Sequence, residues 1–521
     1  MVPKRQVGPG SILDMRTARP ERTPERTDGC CASNSERNAL IMPRQRNMQT
    51  AATVLLLIAS PVVAEDAKRA DLHTVRDFGA VGDGKADDTR ALQNAVDARV
   101  GVVRLPRGVY RLTKPVVIDL DRVGPTSVVG YGVARVEMDG GGPAFKFVGT
   151  HRGTADPHTI KPNVWQRQRM PMVDGLEIIG RHERAVGIEA TGTMQITVTR
   201  VNIRHALHGI HLTRHNRNVI VSDCHLYENR GVGLYLDDVN LHQITVTGSH
   251  ISYNAGGGVV NRAGNVRNLH ITGCDIEANM GLDETKHPPT ANILLDSTGA
   301  SFDIGEVAIT GCTIQHTHRA SGAANIRILG TDRGGKLRSG NVTITGNVLS
   351  DVQVNVHLRR ARGVTITGNT FWKGFAHNLL IEDSMHIVVG PNSFDLNPIY
   401  QGQKESNNAL LLRNCTDVTL TGLHINEVRR APAGLTLENC RRINLTNCIL
   451  LNCDNVGLLL RNVTDSRVSD SIIRNDRGDP QSWLALKAIG GSNNMIVDNV
   501  FGGRFEIDQK TAHLAGNITV P

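Results

Sequence analysis

Aromatic residues are scarce in this chain of 521 residues, where they make up 3% of the total and tryptophan occurs three times. Proteins that hold neutral sugars usually stack them on aromatic rings, and this chain offers few such rings. The composition therefore favours recognition by Arg, Lys and His, which suits a partner that carries negative charge.

Long hydrophobic runs are also missing. The apolar stretch Ala51–Ala59 has nine residues, too few to cross a bilayer core of ~30 Å as a helix. Two arginines precede it and a small-residue pattern ending at Ala64 follows, which is typical of a secretory signal peptide. We expect residues 1–41 to be a disordered leader or a mis-assigned start. We expect residues 42–64 to be a signal peptide cleaved after Ala64, and the protein to be secreted or periplasmic without a stable membrane span.

Runs of Lys and Arg interleaved with aromatic residues are absent as well. The formal net charge is +8, but part of that excess lies in the N-terminal leader. Because nucleic-acid binding normally leaves a clustered basic signature, the sequence predicts no nucleic-acid partner.

A short phrase recurs along the chain from Gly187 onward, and several successive copies are 22–25 residues apart. Its copies read GIEAT, GIHLT, GLYLD, NILLD, NIRIL, NVHLR, NLLIE, ALLLR, GLTLE and GLLLR. A period of this length is typical of a solenoid in which each repeat stacks on the next.

A second phrase lies between these copies, as in ITVTGSHI, VAITGCTI and VTITGNVL. It alternates β-branched residues with period two around a turn that contains Gly, Asn or Asp, and the repeated coils contain no stretch with the period of a helix. Three short strands per coil, parallel to those above and below, predict an all-β solenoid of about 11–12 coils.

One turn position of the second phrase carries a small polar side chain or a thiol in most copies. The residues there are, in order, Cys224, Ser249, Cys274, Cys312, Asn347, Asn369, Asn392, Leu423, Cys448 and Ser471. In stacked coils these side chains lie above one another, and Asn amides can hydrogen-bond from rung to rung. Because no CxxC pair is present and the cysteines after the leader are odd in number, we expect reduced cysteines in an internal ladder.

A different motif, VRDFGAVGDGKADDTRALQNAVDA, occupies residues 75–98. After a Gly-rich turn, Asp87, Asp88 or Thr89 can cap a helix that closes the open end of the solenoid. The apolar face of that helix would comprise Ala91, Leu92, Ala95 and Val96. A capping role accounts for the aspartates without any part in catalysis.

Together with the repeats, FGAVGDGKADDTRALQNAVD closely resembles the amino-terminal motif of the rhamnogalacturonase and mannuronan-epimerase-like group in the pectate-lyase-like superfamily. The resemblance implies a right-handed parallel β-helix, secretion and action on polysaccharide, often one with uronic acids. It implies no single reaction, because this fold hosts lyases, hydrolases, epimerases, phage tailspikes and noncatalytic binders. We expect an N-terminal cap and the first coils over residues 65–140, and the right-handed parallel β-helix over residues 141–521.

Alternation along the first phrase separates inward apolar side chains from an outward polar face. Between His211 and Arg359 this face is rich in His, Tyr, Asp and Arg, although a solvated sheet face would also be polar. The catalytic candidates are His211, Tyr235, Asp237, Asp296, Arg327 and His357.

Long insertions flank the same rungs, and loops of this kind turn a flat face into a cleft. Polar and cationic side chains in the loops and the neighbouring strands can receive carboxylate or sulfate groups. The substrate-binding candidates are Asp238, Asn261, Arg262, Arg319, Arg333, Lys336 and Arg359. The predicted partner is an acidic polysaccharide, and the sequence leaves the oligomeric state open.

Lyase-type β-elimination on a uronate is the reaction that we favour. A base removes the proton next to the carboxylate, and a cation stabilises the charge that develops there. His211 and Tyr235 are predicted on adjacent rungs, and Arg327 or Arg359 could supply the cation. Alternatively, Asp237 and Asp296 could hold Ca²⁺ through oxygen ligands, so the predicted cofactor is either none or Ca²⁺.

Hydrolysis by two carboxylates is an alternative, since Asp237 and Asp296 are predicted two rungs apart, at roughly 9.6 Å. Polygalacturonase-type hydrolases carry NTD, DD, HG and RIK motifs in that order. Here His208-Gly209 and Asp237-Asp238 come in the reverse order, and NTD and RIK are absent. Epimerisation and noncatalytic glycan binding at a cell surface remain open.

Overall fold

The computed structural model describes residues 73–520 apart from 397–398, 400–404, 478–481 and 509. The expected leader and signal peptide lie outside the described residues. The described chain is a right-handed parallel β-helix, as predicted, in which every pair of strands runs parallel and three sheets share the length of the solenoid.

The first sheet carries the first recurring phrase. Its strands are Val116–Asp119, Gly142–Val148, Ala185–Met194, His208–Ser222, Val232–Thr247, Gly257–Arg262, Ala291–Asp296, Ala324–Leu329, Val352–Arg359, Gly374–Glu382, Ala409–Arg413, Leu435–Glu438, Val456–Thr464, Leu484–Ser492 and Arg504–Ile507. Two strands precede the copy at Gly187 and two follow the copy at Gly457, so the stack extends past both ends of the phrase seen in the sequence.

The second sheet carries the second phrase, and the long strands His208–Ser222 and Val232–Thr247 continue into it from the first sheet. Its other strands are Val102–Arg104, Ser127–Met138, Met172–Gly180, Thr197–Thr199, Asn265–Thr272, Gly305–Thr310, Gly340–Thr345, Arg362–Thr367, Met385–Val389, Thr416–Thr421, Arg441–Thr446, Arg467–Ser469, Asn494–Val497 and Ala512–Ala515.

The third sheet closes each coil, and Ser127–Met138 and Met172–Gly180 continue into it from the second sheet. Its other strands are Asp83–Asp87, Gly108–Leu112, Asn202–Arg204, His225–Tyr227, His250–Ser252, Asp275–Glu277, Thr313–Gln315, Val348–Ser350, Thr370–Phe371, Asn392–Phe394, Leu423–Asn426, Ile449–Leu451, Ile472–Arg474, Val500–Gly502 and Ile518–Thr519.

Helices are short and lie near the N-terminus of the described chain. They are the 3₁₀-helices Val75–Phe78 and Pro157–Thr159 and the α-helices Thr89–Asp97, Leu120–Val123 and Pro162–Arg167. None of the described helices has the length and hydrophobicity that crossing a membrane requires.

The helix Thr89–Asp97 is the predicted cap, and its predicted apolar face is buried. Asp87 Oδ1 accepts hydrogen bonds from the backbone N–H and the hydroxyl of Thr89, at 3.1 and 2.5 Å. The carboxylate of Asp88 instead accepts the backbone N–H groups of Val81 and Gly82, at 2.7 and 3.1 Å, and fixes the Gly-rich turn. The aspartates of this motif therefore hold the cap together.

The ladder predicted from the second phrase is present inside the solenoid. Asn347 Nδ2 donates to Asn369 Oδ1, and Asn369 Nδ2 donates to Asn392 Oδ1, both at 3.0 Å. Asn347 Oδ1 also accepts the backbone N–H of Cys312 at 2.9 Å. The cysteines of the described chain are all free and buried, which agrees with their predicted place in the stack.

A second asparagine ladder, which the sequence analysis did not identify, lines the corner between the third and first sheets. Its members are Asn229, Asn254, Asn279, Asn292, Asn325, Asn355 and Asn378, joined by amide hydrogen bonds of 2.7–2.8 Å. This ladder explains why the first phrase begins with Gly in the early coils and with Asn in the four copies from Asn292 to Asn378. A Cβ at Gly233 would lie 2.9 Å from Asn254 Nδ2, so glycine makes room where the neighbouring turn supplies the asparagine.

We expect the Asn355→Ala substitution to lower the free energy of unfolding by about 2–4 kcal/mol, because it removes the buried amide hydrogen bonds that Asn355 forms with Asn325 and Asn378. Chemical denaturation of purified variants measures this difference. Asn444→Ala, at an outward position of the second sheet, is the control and should change the free energy by less than about 0.5 kcal/mol. Equal effects of the two substitutions would contradict a structural role for the ladder.

Candidate functional site

The outer face of the first sheet carries two parallel columns of side chains, one residue from each coil. The first column reads Lys146, Glu189, His211, Tyr235, Val260, Leu294, Arg327, His357, Leu380 and Leu411. The second column reads Thr191, Thr213, Asp237, Arg262, Asp296, Leu329, Arg359, Glu382, Arg413 and Glu438. Residues far apart in the sequence thus become neighbours along one stripe.

His211 lies at the centre of a group of polar side chains. Its Nε2 is 3.0 Å from Asp237 Oδ2, and its Nδ1 is 3.9 Å from Glu189 Oε2. Its ring stacks on that of Tyr235, with centroids 5.2 Å apart and planes 8° apart. The side chain of His211 is 16% exposed and that of Asp237 is 39% exposed, so a ligand on this face can reach both groups.

His208 supports this group from one side. Its ring centroid lies 4.9 Å from that of Tyr235 and 5.3 Å from that of His211. The backbone N–H of Val232 donates to His208 Nδ1 at 3.1 Å, which leaves the proton on Nε2. Burial lowers the pKa of His208 to about 4, so the ring is neutral at neutral pH.

Tyr235 keeps its proton over a wide pH range. Burial first, and then the charge of Asp237 and a hydrogen bond to it, raise the pKa of Tyr235 to about 12. The phenol is therefore present as an O–H group that can donate a proton.

Cations flank the group at both ends. Lys146 Nζ lies 2.9 Å from Glu189 Oε1, and Arg262 lies 3.7 Å from Asp296 Oδ2, with a side chain 40% exposed. Sequence reasoning missed Lys146 because its strand, GPAFKFV, precedes the first copy of the recurring phrase. The alternation of apolar residues in that strand is the signal that could have placed it on the outer face.

The predicted calcium ligands Asp237 and Asp296 do not form a suitable donor set. Arg262 lies between them in the second column, and Asp296 Oδ1 already accepts the N–H and the hydroxyl of Thr298, at 2.9 and 2.5 Å. Among the described residues no group of three or more His, Cys, Asp or Glu side chains is arranged to hold a metal ion. We therefore derive no step through a metal.

Arg327 and His357 lie outside the His211 group. Val260 and Leu294, both buried, separate Arg327 from Tyr235 in the first column. The spacing of three rungs corresponds to about 14 Å. The sequence analysis treated these residues as one continuous site, whereas the structure divides them into two groups.

The other candidates divide between the face and the loops. Asn261 points inward between Leu236 and Leu295 and is buried, which corrects the expectation that it faces a ligand. Asp238 is exposed within the strand Val232–Thr247, where its φ is positive, and Arg359 is exposed and lies 3.8 Å from Asp383.

The loop candidates lie at opposite edges of the first sheet. Arg319 is exposed in the loop that precedes the strand Ala324–Leu329, and Lys336 is exposed in the loop that follows it. Arg333 pairs with the buried Asp303 at 3.4 Å and so joins two loops to each other. Loops therefore flank this part of the face on both sides.

Three family models match successive parts of the chain. The model described as rhamnogalacturonase A/epimerase, pectate lyase-like, matches residues 73–133. The right-handed beta helix region matches residues 173–300, and the periplasmic copper-binding protein (NosD) model matches residues 295–511.

Curated relatives match over a short segment. Alginate lyase 7 of Azotobacter vinelandii is 53% identical over 45 residues, which are 8% of this chain and 5% of that protein. Mannuronan C5-epimerase AlgE5 of the same organism is 51% identical over 45 residues, which are 8% of this chain and 4% of that protein.

Solved structures match over a longer range at low identity. Tailspike protein 3 of Bacteriophage CBA120 is 16% identical, covers 88% of this chain and 63% of its own, and gives a TM-score of 0.40. The A-module of the Azotobacter vinelandii epimerase AlgE6 is 14% identical, covers 86% of this chain and 99% of its own, and gives a TM-score of 0.29.

The family models agree with the parallel stack of coils and with the cap. The chain belongs to the pectate-lyase-like superfamily of right-handed parallel β-helix proteins.

Proposed function

We propose that the protein is an exported enzyme that acts on a polysaccharide containing uronic acids, by lyase-type β-elimination. The observation that carries this proposal is the contact of His211 with both Tyr235 and Asp237 on the outer face of the first sheet. Short similarity to an alginate lyase and to mannuronan C5-epimerases supports the class of substrate.

His211 is the proposed base. When its Nε2–H donates to Asp237, Nδ1 carries the free lone pair, and Asp237 fixes the orientation of the ring. Nδ1 takes the proton from the carbon next to the uronate carboxylate. The electron pair of that C–H bond becomes the new C=C bond, and the C–O bond to the next sugar breaks.

Tyr235 then acts as the acid. Its phenol stays protonated because its pKa is about 12, and it lies against His211, so it can give its proton to the departing glycosidic oxygen. Lys146 and Arg262, at either end of the group, are the cations that can offset the charge on the substrate carboxylate.

Hydrolysis by paired carboxylates is less well supported by the same geometry. Asp237 is engaged by His211, and Asp296 is engaged by Arg262 and Thr298. Neither carboxylate lies in the isolated, apolar surroundings that are typical of the general acid of a glycosidase.

Incubation with polymannuronate, polyguluronate, polygalacturonate and a neutral glucan tests the reaction. We expect products with unsaturated ends from at least one polyuronate and none from the neutral glucan. New reducing ends without unsaturation would indicate a hydrolase, inversion at C5 without cleavage would indicate an epimerase, and binding without turnover would indicate a binder. Each of these results would reject the lyase.

We expect His211→Ala, Tyr235→Phe and Asp237→Asn each to lower kcat/KM by about 10²–10⁴-fold, because each removes or misorients a group that transfers a proton. Initial rates on the active polyuronate measure the loss. His225→Ala is the matched control, since His225 is an exposed histidine of the third sheet and should retain full activity. Full activity of His211→Ala would remove this residue from the mechanism.

Acid should destabilise the fold between about pH 6.5 and pH 4. Burial holds the pKa of His208 at about 4, below the ordinary value of 6.5, so the unfolded chain gains a proton in this range before the folded one does. Burial also lowers the pKa of three further histidines to about 4, namely His215, His242 and His357. We expect the melting temperature to fall as the pH is lowered through this window, and to fall less steeply in His208→Gln. A melting temperature that stays constant over this pH range would contradict the conclusion that these buried histidines are neutral in the folded protein.

A further inference from the structure

Arg327 is a largely buried arginine on the outer face, and its partners are neutral. Its Nε donates to His357 Nδ1 at 3.1 Å, and its terminal nitrogens donate to the backbone carbonyls of Thr290 and Gly322. Those two carbonyls belong to the loops that precede the strands Ala291–Asp296 and Ala324–Leu329. Two carbonyl groups of the loops and one histidine side chain of a strand thus fix the guanidinium in one orientation.

The charge of Arg327 has no direct counterpart in the described chain. It forms no ion pair with any carboxylate of residues 73–520 that the structure describes, whereas other arginines of the same face do. Arg262 pairs with Asp296, Arg359 with Asp383, and Arg413 with Glu438 at 3.1 Å. Burial, offset only in part by the charge of Asp296, lowers the pKa of Arg327 to about 10.

The neighbouring carboxylate is already occupied. Glu382 accepts from His357 Nε2 at 3.1 Å and lies 3.4 Å from Arg413. His357 accepts from Arg327 on Nδ1 and donates to Glu382 through Nε2, which fits a neutral ring. The imidazole of His357 therefore positions the guanidinium of Arg327 but does not neutralise its positive charge.

A guanidinium has five N–H donors, and three hydrogen bonds leave two of them without a described acceptor. A carboxylate is the acceptor that matches such a pair of donors, because it binds arginine through two parallel hydrogen bonds. A buried cation without an anion is also costly, and a bound carboxylate would relieve that cost.

We propose that Arg327, positioned by His357, is a second carboxylate subsite for the polyuronate chain that reacts at His211. The inference rests on the proposed function and extends it to substrate length. Arg327 lies in the same column as His211 and Tyr235, about 14 Å beyond Tyr235. Only an oligomer of several sugars can reach both places, so the site selects polymers over disaccharides.

Binding of defined oligomers tests the subsite. The probes are uronate disaccharides, uronate octamers and a carboxyl-reduced octamer, all of the polyuronate series that the wild type converts. Calorimetry is done in the His211→Ala background to prevent turnover. We expect Arg327→Met to weaken octamer binding by about 10- to 100-fold and to leave disaccharide binding unchanged. The reduced octamer should bind the background protein and the variant equally weakly.

The melting temperature separates a ligand-binding arginine from a structural one. Replacing an unpaired buried cation by an apolar side chain of similar length should leave the melting temperature unchanged or raise it. Arg327→Lys, which keeps the charge but not the planar pair of donors, should show an intermediate octamer affinity. The control is Arg442→Met on the second sheet, where Arg442 pairs with Asp417, and it should bind every probe as the background protein does.

Equal octamer affinities of the background protein and Arg327→Met would overturn the subsite and leave the reaction at His211 intact. A lower melting temperature with equal weakening of all oligomers would also overturn it, because that pattern indicates a structural arginine. If the wild type neither binds nor converts any polyuronate, the proposed function fails, and the subsite fails with it.

Discussion

The register between coils is the constraint on which the rest of the structure depends. Each coil hydrogen-bonds to the next along three parallel sheets, and amide ladders at two interior corners tie the same positions together. A slip of one residue would turn every inward apolar side chain outward and break the ladders at the same time. Because Asn355 must meet both Asn325 and Asn378, the interior permits one alignment of neighbouring coils.

The same register builds the outer face. Once coils are aligned, residues separated by a full turn of the solenoid lie about 4.8 Å apart, and side chains of opposite charge can pair from rung to rung. Ion pairs of this kind occur along much of the face. One example is the series of contacts from Glu382 through Arg413 to Glu438. Two places on the described face that depart from simple pairing are the stacked rings around His211 and the unpaired charge of Arg327, and both concern the proposed function.

The family motif of the cap and the proposed site lie in different parts of the chain. The rhamnogalacturonase A/epimerase model matches residues 73–133, which contain the cap and the first coils but not His211, Tyr235 or Asp237. The aspartates of the cap motif hold a turn and a helix in place. Membership of the superfamily therefore describes the scaffold, and the residues proposed for the reaction lie on the outer face of the first sheet.

The sequence by itself determined the solenoid, its parallel strands, the helix Thr89–Asp97 and the inward or outward direction of most strand residues. Alternation with period two and a repeat of 22–25 residues are local patterns, and they require no knowledge of what each coil contacts. The cysteine and asparagine ladder of the second phrase was predictable for the same reason. The second ladder was missed because its first three asparagines lie in a turn and its last four lie in a strand, so they occupy no fixed position in the repeat.

Only the tertiary structure decided how the candidate residues group. It joined Lys146, His208 and Glu189 to His211, turned Asn261 into the interior, and placed two buried apolar residues between Tyr235 and Arg327. Which side chains meet across rungs depends on loop insertions, on local shifts of register and on the rotamers that neighbouring coils allow. These are properties of pairs of coils, whereas the repeated pattern in the sequence describes one coil at a time.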